Sequence, residues 1–160
     1  MNPYAAQLGD RDPVRVLERT PSRLRELAES LGEKRLAQPL AAGKWSPREV
    51  FAHLADCEIA LGFRYRQALA EDDHVVQPFD QEQWAQSYAA YSAEEALSTF
   101  AALRNWNLSL IRSLSLDQLR RPVRHPERGA ETLGTLIETS AGHDLKHLER
   151  LEALSSPAAR

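Results

Sequence analysis

Two histidines four residues apart, His143 and His147, are the first pair in this sequence whose spacing suggests chemistry. On a helix, that step places both imidazoles on one face about one turn apart, close enough to share an ion. Two solvated histidines on a surface would show the same spacing, so the phase has to decide. Leu136, Ser140, His143, His147 and Leu154 advance in steps of four, three, four and seven, which puts both histidines on the seam facing a core. An imidazole there needs a hydrogen-bond or metal partner, because an unpaired buried polar group costs on the order of a few kcal/mol. His53 lies on a second inward stripe, with Val50, Leu54, Cys57, Leu61, Arg64 and Ala68. Three imidazoles facing one axis would leave one position of a tetrahedral ion open, the arrangement with which catalytic zinc activates water or receives a substrate atom. Such ligands suit zinc, nickel, copper and iron alike, so the residues do not name the metal.

Other residues near these three have a functional and an ordinary reading. Asp56, three after His53, and Asp144, next to His143, are placed to hold the second ring nitrogen of a ligand, as outer-shell carboxylates do. Asp56 or Glu58 could also serve as a general base. Cys57 is one turn beyond His53, but a lone cysteine in a helical core is usually a small hydrophobe. Arg64 shares the inward stripe, where an arginine needs an anion, and is a candidate catalytic residue together with Asp56. Arg104 and Asn107 fall near the inner face of a later helix. Trp45 reads as a structural anchor before a helix cap. His74 and His125 lie among loop residues and are given no metal role.

Four helical segments must position these groups. The first, about 12 to 32, ends at Gly32 and contains Pro21, which either kinks the helix or starts a new one capped by Thr20. Ser46-Pro47-Arg48-Glu49 is a capping box with proline in the first turn and opens a helix over about 46 to 71. Ser92-Ala93-Glu94-Glu95 repeats the box and leads a helix to about Ser115. Glu131 or Thr132 leads the fourth, through His143 and His147 to Leu154, after a Pro- and Gly-containing loop over 120 to 129. The connection over 72 to 91 carries Phe79, Trp84, Tyr88 and Tyr91 and is too long and aromatic for a bare turn. No stretch sustains the alternation of a half-buried strand. The reading is all-α: one antiparallel four-helix bundle over residues 12 to 154, with a long crossover between helices 2 and 3 and flexible ends at 1 to 11 and 155 to 160.

The two histidine motifs resemble those of a known family. The block Gly43-Lys44-Trp45-Ser46-Pro47-Arg48-Glu49-Val50, followed by His53-Leu54-Ala55-Asp56, resembles the first signature of the DinB-like (YfiT-like) superfamily, and His143-Asp144-Leu145-Lys146-His147 resembles its second. The resemblance spans residues 12 to 154. It implies a divalent ion, zinc or nickel and in some members iron or manganese, on His53, His143 and His147, and frequent homodimers. Characterised members include bacillithiol S-transferases and the mycothiol-dependent maleylpyruvate isomerase, so the implied activity is transfer or isomerisation with a low-molecular-weight thiol that the metal acidifies. A metal-assisted hydrolase and a non-catalytic, stress-related metal-binding bundle are the alternatives.

Composition narrows the partners. Apolar residues make up 42% and charged residues 27%, a globular balance that sets aside disordered and fibrous classes. A formal charge of -3 and no dense Lys/Arg cluster disfavour nucleic acid. No uncharged stretch approaches the roughly 20 apolar residues needed to cross a bilayer, and the N-terminus lacks a signal-peptide core, so a cytoplasmic protein acting on a small molecule is expected. With Cys57 alone, neither an internal disulfide nor a Cys-rich zinc site can form.

Overall fold

The chain was analysed as a computed structural model that describes residues 2–155. The flexible ends expected at residue 1 and over 156–160 lie outside the described residues. Helix α3 (Pro47–Ala70) starts as its sequence dictates: the Ser46 hydroxyl accepts from the Glu49 amide at 3.4 Å and the Glu49 carboxylate accepts from the Ser46 amide at 2.7 Å. Ser92 and Glu95 cap α5 (Ala93–Arg112) in the same way, at 3.1 and 2.9 Å. Asp12 caps α2 (Pro13–Leu36), and the Thr132 hydroxyl accepts from the Thr135 amide at the head of α7 (Leu133–Ser155). These four long helices form the bundle, in which α2 packs on α5 and α7, and α3 on the same two.

Pro21 neither starts a new helix nor interrupts α2. Proline has no amide to give the carbonyl four residues back. That carbonyl, of Leu17, instead accepts from the Arg104 guanidinium of α5 at 3.0 Å, and the Thr20 hydroxyl donates to Val16. Gly32, with φ 70° and ψ 162°, breaks the helix where the sequence ends it, and one further helical turn runs to Leu36.

The crossover from α3 to α5 contains β1 (His74–Val75), the short helix α4 (Gln81–Ala85) and a 3-10 turn at Tyr88–Ala90. After the one-turn helix α6 (Leu116–Leu119), the expected loop over 120 to 129 is instead a hairpin of β2 (Pro122–His125) and β3 (Gly129–Thr132). β2 pairs antiparallel with β3 and parallel with β1, His74 opposite Val123, in a three-stranded sheet that joins the crossover to the hairpin. Strands of two and four residues are too short to show an alternating pattern in sequence.

The N-terminal segment is also placed. A single turn, α1 (Ala5–Leu8), lies against α7 with Leu8 buried. Gly142 permits the approach: a Cβ at that position would stand 2.6 Å from both the carbonyl oxygen and the Cβ of Tyr4.

Two apolar clusters fill the bundle. One gathers Leu24, Leu27, Phe51, Leu54, Leu97, Phe100 and Leu151, and the other Leu17, Tyr65, Leu108, Ile111, Leu133 and Leu136. Along every long helix the residues between the two clusters include buried polar groups: Thr20 on α2, Glu58 on α3, Arg104 and Asn107 on α5, Asp144 on α7. Arg104 donates to Asp144 at 2.7 Å and to Glu58 at 2.8 Å, and the Asn107 amide donates to the other Glu58 oxygen at 3.1 Å. Burying charge is tolerated here because each charged group meets several partners. His53, His143 and His147 lie along α3 and α7 at the level of this polar layer.

Candidate metal centre

Helix phase brings the three histidines together. His143 Nε2 lies 3.2 Å from His53 Nε2 and 3.1 Å from His147 Nε2. The ring centroids are 4.5 to 5.2 Å apart. His53 and His147 are buried, while His143 is partly open to a cleft. Burial pushes the His53 imidazole down to about 4 and the His147 imidazole to about 3; His143 is also well below its ordinary value, through burial and then the two neighbouring rings. All three are therefore neutral near pH 7.

A neutral imidazole nitrogen either donates one hydrogen or accepts one, but not both. His143 Nε2 faces two other Nε2 atoms, so a hydrogen can satisfy only one of the two contacts. A cation between the three lone pairs satisfies all of them. At zinc–nitrogen distances of 2.0–2.1 Å, tetrahedral ligands stand about 3.3–3.4 Å apart, close to the two separations about His143. The donor set thus fits a divalent ion.

Cys57 is closer than the sequence reading implied. Its sulfur lies 3.6 Å from His53 Nε2 and 3.9 Å from Nδ1, and His53, Cys57 and His143 form a group compact enough for one ion. Near-equal distances to both ring nitrogens put the sulfur out of line with the Nε2 lone pair. Without an ion, burial, then the Asp144, Glu58 and Asp56 carboxylates, push its thiol up. His147 lies outside that group, but its Nε2 meets the same His143 nitrogen at 3.1 Å, so the two candidate donor sets share the His53–His143 pair.

The surrounding positions sort the remaining candidates. Asp144 and Glu58 are both engaged by Arg104, so neither is free as a base or as support for a histidine nitrogen. His147 Nδ1 is buried with no hydrogen-bond partner among the described residues. Asp56 is half-buried beside Tyr88, its carboxyl raised mainly by burial, and it lines neither cavity at the histidines. Arg104 and Asn107 belong to the polar layer and likewise line neither. Arg64 does reach the site.

Two adjoining cavities open on the histidines. The larger, about 630 Å³, is bordered by Trp45, Lys44, Lys146 and Arg150; the smaller, about 230 Å³, by Cys57, Arg64, Phe79, His125 and Arg128. Tyr4, His53 and His143 line both. The Tyr4 ring lies 5.3 Å from His143 and the Trp45 ring 4.8 Å from His53, centroid to centroid. Trp45 is thus a wall of the site as well as an anchor before the cap. Sequence reading gave Tyr4 no role, since a four-residue helix has no legible periodicity. His74 and His125 sit on strands, and His125, set aside as a loop residue, borders the smaller cavity.

A four-helix bundle with an inward trio of histidines and a cleft beside it defines a class, and the comparisons agree. Residues 16–151 match the profile of the DinB superfamily, and the chain belongs to that family. A protein of Oceanobacillus iheyensis, provisionally named a metal-dependent hydrolase, is 31% identical over 142 residues, 88% of this chain and 83% of the relative. A Bacillus cereus protein with the same provisional name is 27% identical over 142 residues, 88% of this chain and 82% of its own length. Among solved structures, YfiT of Bacillus subtilis, described as a probable metal-dependent hydrolase with an unusual four-helix bundle topology, superposes with a TM-score of 0.83 at 25% identity, covering 89% of this chain and 83% of YfiT.

Proposed function

We infer that the protein is a metal-dependent hydrolase in which His53, His143 and His147 hold a divalent ion. The observation that carries this reading is the convergence of three neutral imidazole nitrogens, 3.1 and 3.2 Å apart, where two cavities meet. When bound, such an ion supplies a nucleophile at neutral pH by acidifying water and polarises the carbonyl under attack. Hydrolysis joins the water oxygen to the acyl carbon, breaks the bond to the leaving group and returns a proton to that group. The histidines stay unprotonated because burial disfavours their cations. Tyr4 and Trp45 pack against His143 and His53 and form the walls of the cleft. With Glu58 and Asp144 committed to Arg104, no carboxylate of the polar layer is free to act as a base.

The relatives' names favour hydrolysis over the thiol transfer that the family resemblance implied. The adjoining cavities also favour an open site over a structural staple, which needs no cleft. Zinc and nickel are the first ions to load. Zinc- or nickel-loaded protein is expected to hydrolyse activated esters or amides, and His147→Ala to abolish that turnover. Conjugation of a low-molecular-weight thiol by the same sample, without hydrolysis, would overturn the reading.

A further inference from the structure

The smaller cavity is lined by a cation with no counter-ion among the described residues. Arg64 is half-buried on α3, about three turns beyond His53, with its guanidinium over the Phe79 ring at 5.5 Å. One of its donors reaches the Gln77 carbonyl at 2.7 Å. Among the described residues no carboxylate lies within ion-pairing distance of it. Its neighbour across the cavity, Arg128, is by contrast engaged by both oxygens of Glu131, at 2.7 and 3.0 Å. The remaining Arg64 donors are not sealed in the protein and have no acceptor among the described residues. A partly desolvated guanidinium that lines one cavity with a second guanidinium and with His53 and His143 favours an anion, and its planar fork matches a carboxylate.

Building on the hydrolase reading, we propose that the substrate carries a carboxylate, held by Arg64 in the smaller cavity, while its scissile acyl group lies at the histidines. The site then selects small acyl compounds with a free acid at the end remote from the cleaved bond. Arg64 is a specificity residue: one donor holds the crossover at Gln77, and the others serve the substrate.

Equilibrium titration of zinc-loaded protein with glutarate tests this directly. Wild type is expected to bind glutarate roughly tenfold or more tightly than Arg64→Gln, with the same zinc content in both. Arg64→Lys, which keeps the charge but loses the fork, should fall between them and provides the comparison if Arg64→Gln does not fold. Equal glutarate affinity in wild type and the variants overturns the proposal, as does tighter binding of inorganic phosphate than of glutarate. The mono-4-nitrophenyl ester of glutaric acid, compared with 4-nitrophenyl acetate, separates the two claims. If neither ester is cleaved, the hydrolase reading fails, and the glutarate titration still decides the anion site. If both are cleaved with equal kcat/KM, hydrolysis stands and the carboxylate selectivity is lost.

Discussion

His143 occupies a position that no pair of hydrogen bonds can satisfy, with its Nε2 facing the same atom of His53 and of His147. Without an ion, the three rings are kept neutral chiefly by burial, with mutual repulsion adding to it at His143 and His147. Protonation therefore pulls the metal-free protein apart. In the unfolded chain these histidines titrate near 6.5, whereas folding lowers His53 to about 4 and His147 to about 3. Between those limits the unfolded state binds more protons, so the stability they contribute is complete above about pH 6.5 and is lost as the pH falls toward 4 and 3. Urea unfolding of chelator-treated protein from pH 7 to pH 4 should show the midpoint falling steadily, and a flat profile would contradict the burial argument. The histidine trio was legible in the sequence because helical phase assigns a face to each residue. Cys57 was legible as to face but not as to neighbour, and Trp45 only as an anchor before the cap, since the sulfur's distance from the His53 ring and the indole's contact with that ring depend on rotamers and loop path. Tyr4 was not legible at all, because its place depends on Gly142, far along the chain.

Among the elements, α5 ties the bundle together through Arg104. This one side chain satisfies the Leu17 carbonyl that Pro21 leaves free, and it neutralises Glu58 and Asp144 on two other helices. Removing one partner from a buried ionic group leaves uncompensated charge and typically costs about 3–5 kcal/mol. Arg104→Met is accordingly expected to lower the free energy of unfolding by about that much, measured in urea; a loss well under about 1 kcal/mol would show that the network is not holding the helices. The sequence announced the starts of α3 and α5 through Ser46 with Glu49 and Ser92 with Glu95, since capping is a local interaction. The role of Pro21 remained open because the donor that resolves it comes from another helix. The strands escaped notice for a related reason: His74–Val75 forms a strand only because Val123 and Arg124 lie beside it.

For the whole molecule, the arrangement is two apolar clusters separated by polar residues, with the histidines at the same level and two cavities opening onto them. The long crossover and the β2–β3 hairpin, joined in one sheet, furnish Phe79, His125 and Arg128 to the wall of the smaller cavity. A fold this close to YfiT and a match to the DinB superfamily over residues 16–151 place the chain among proteins whose names invoke a metal. No helix among the described residues is long and apolar enough to cross a membrane. The account rests on the ion, and elemental analysis of freshly purified protein tests it most directly. Wild type and Cys57→Ser are predicted to carry one divalent metal per chain, and His53→Ala, His143→Ala and His147→Ala, each still folded by circular dichroism, to carry far less. A metal-free wild type, or a metal lost with Cys57 and retained without His147, would contradict it.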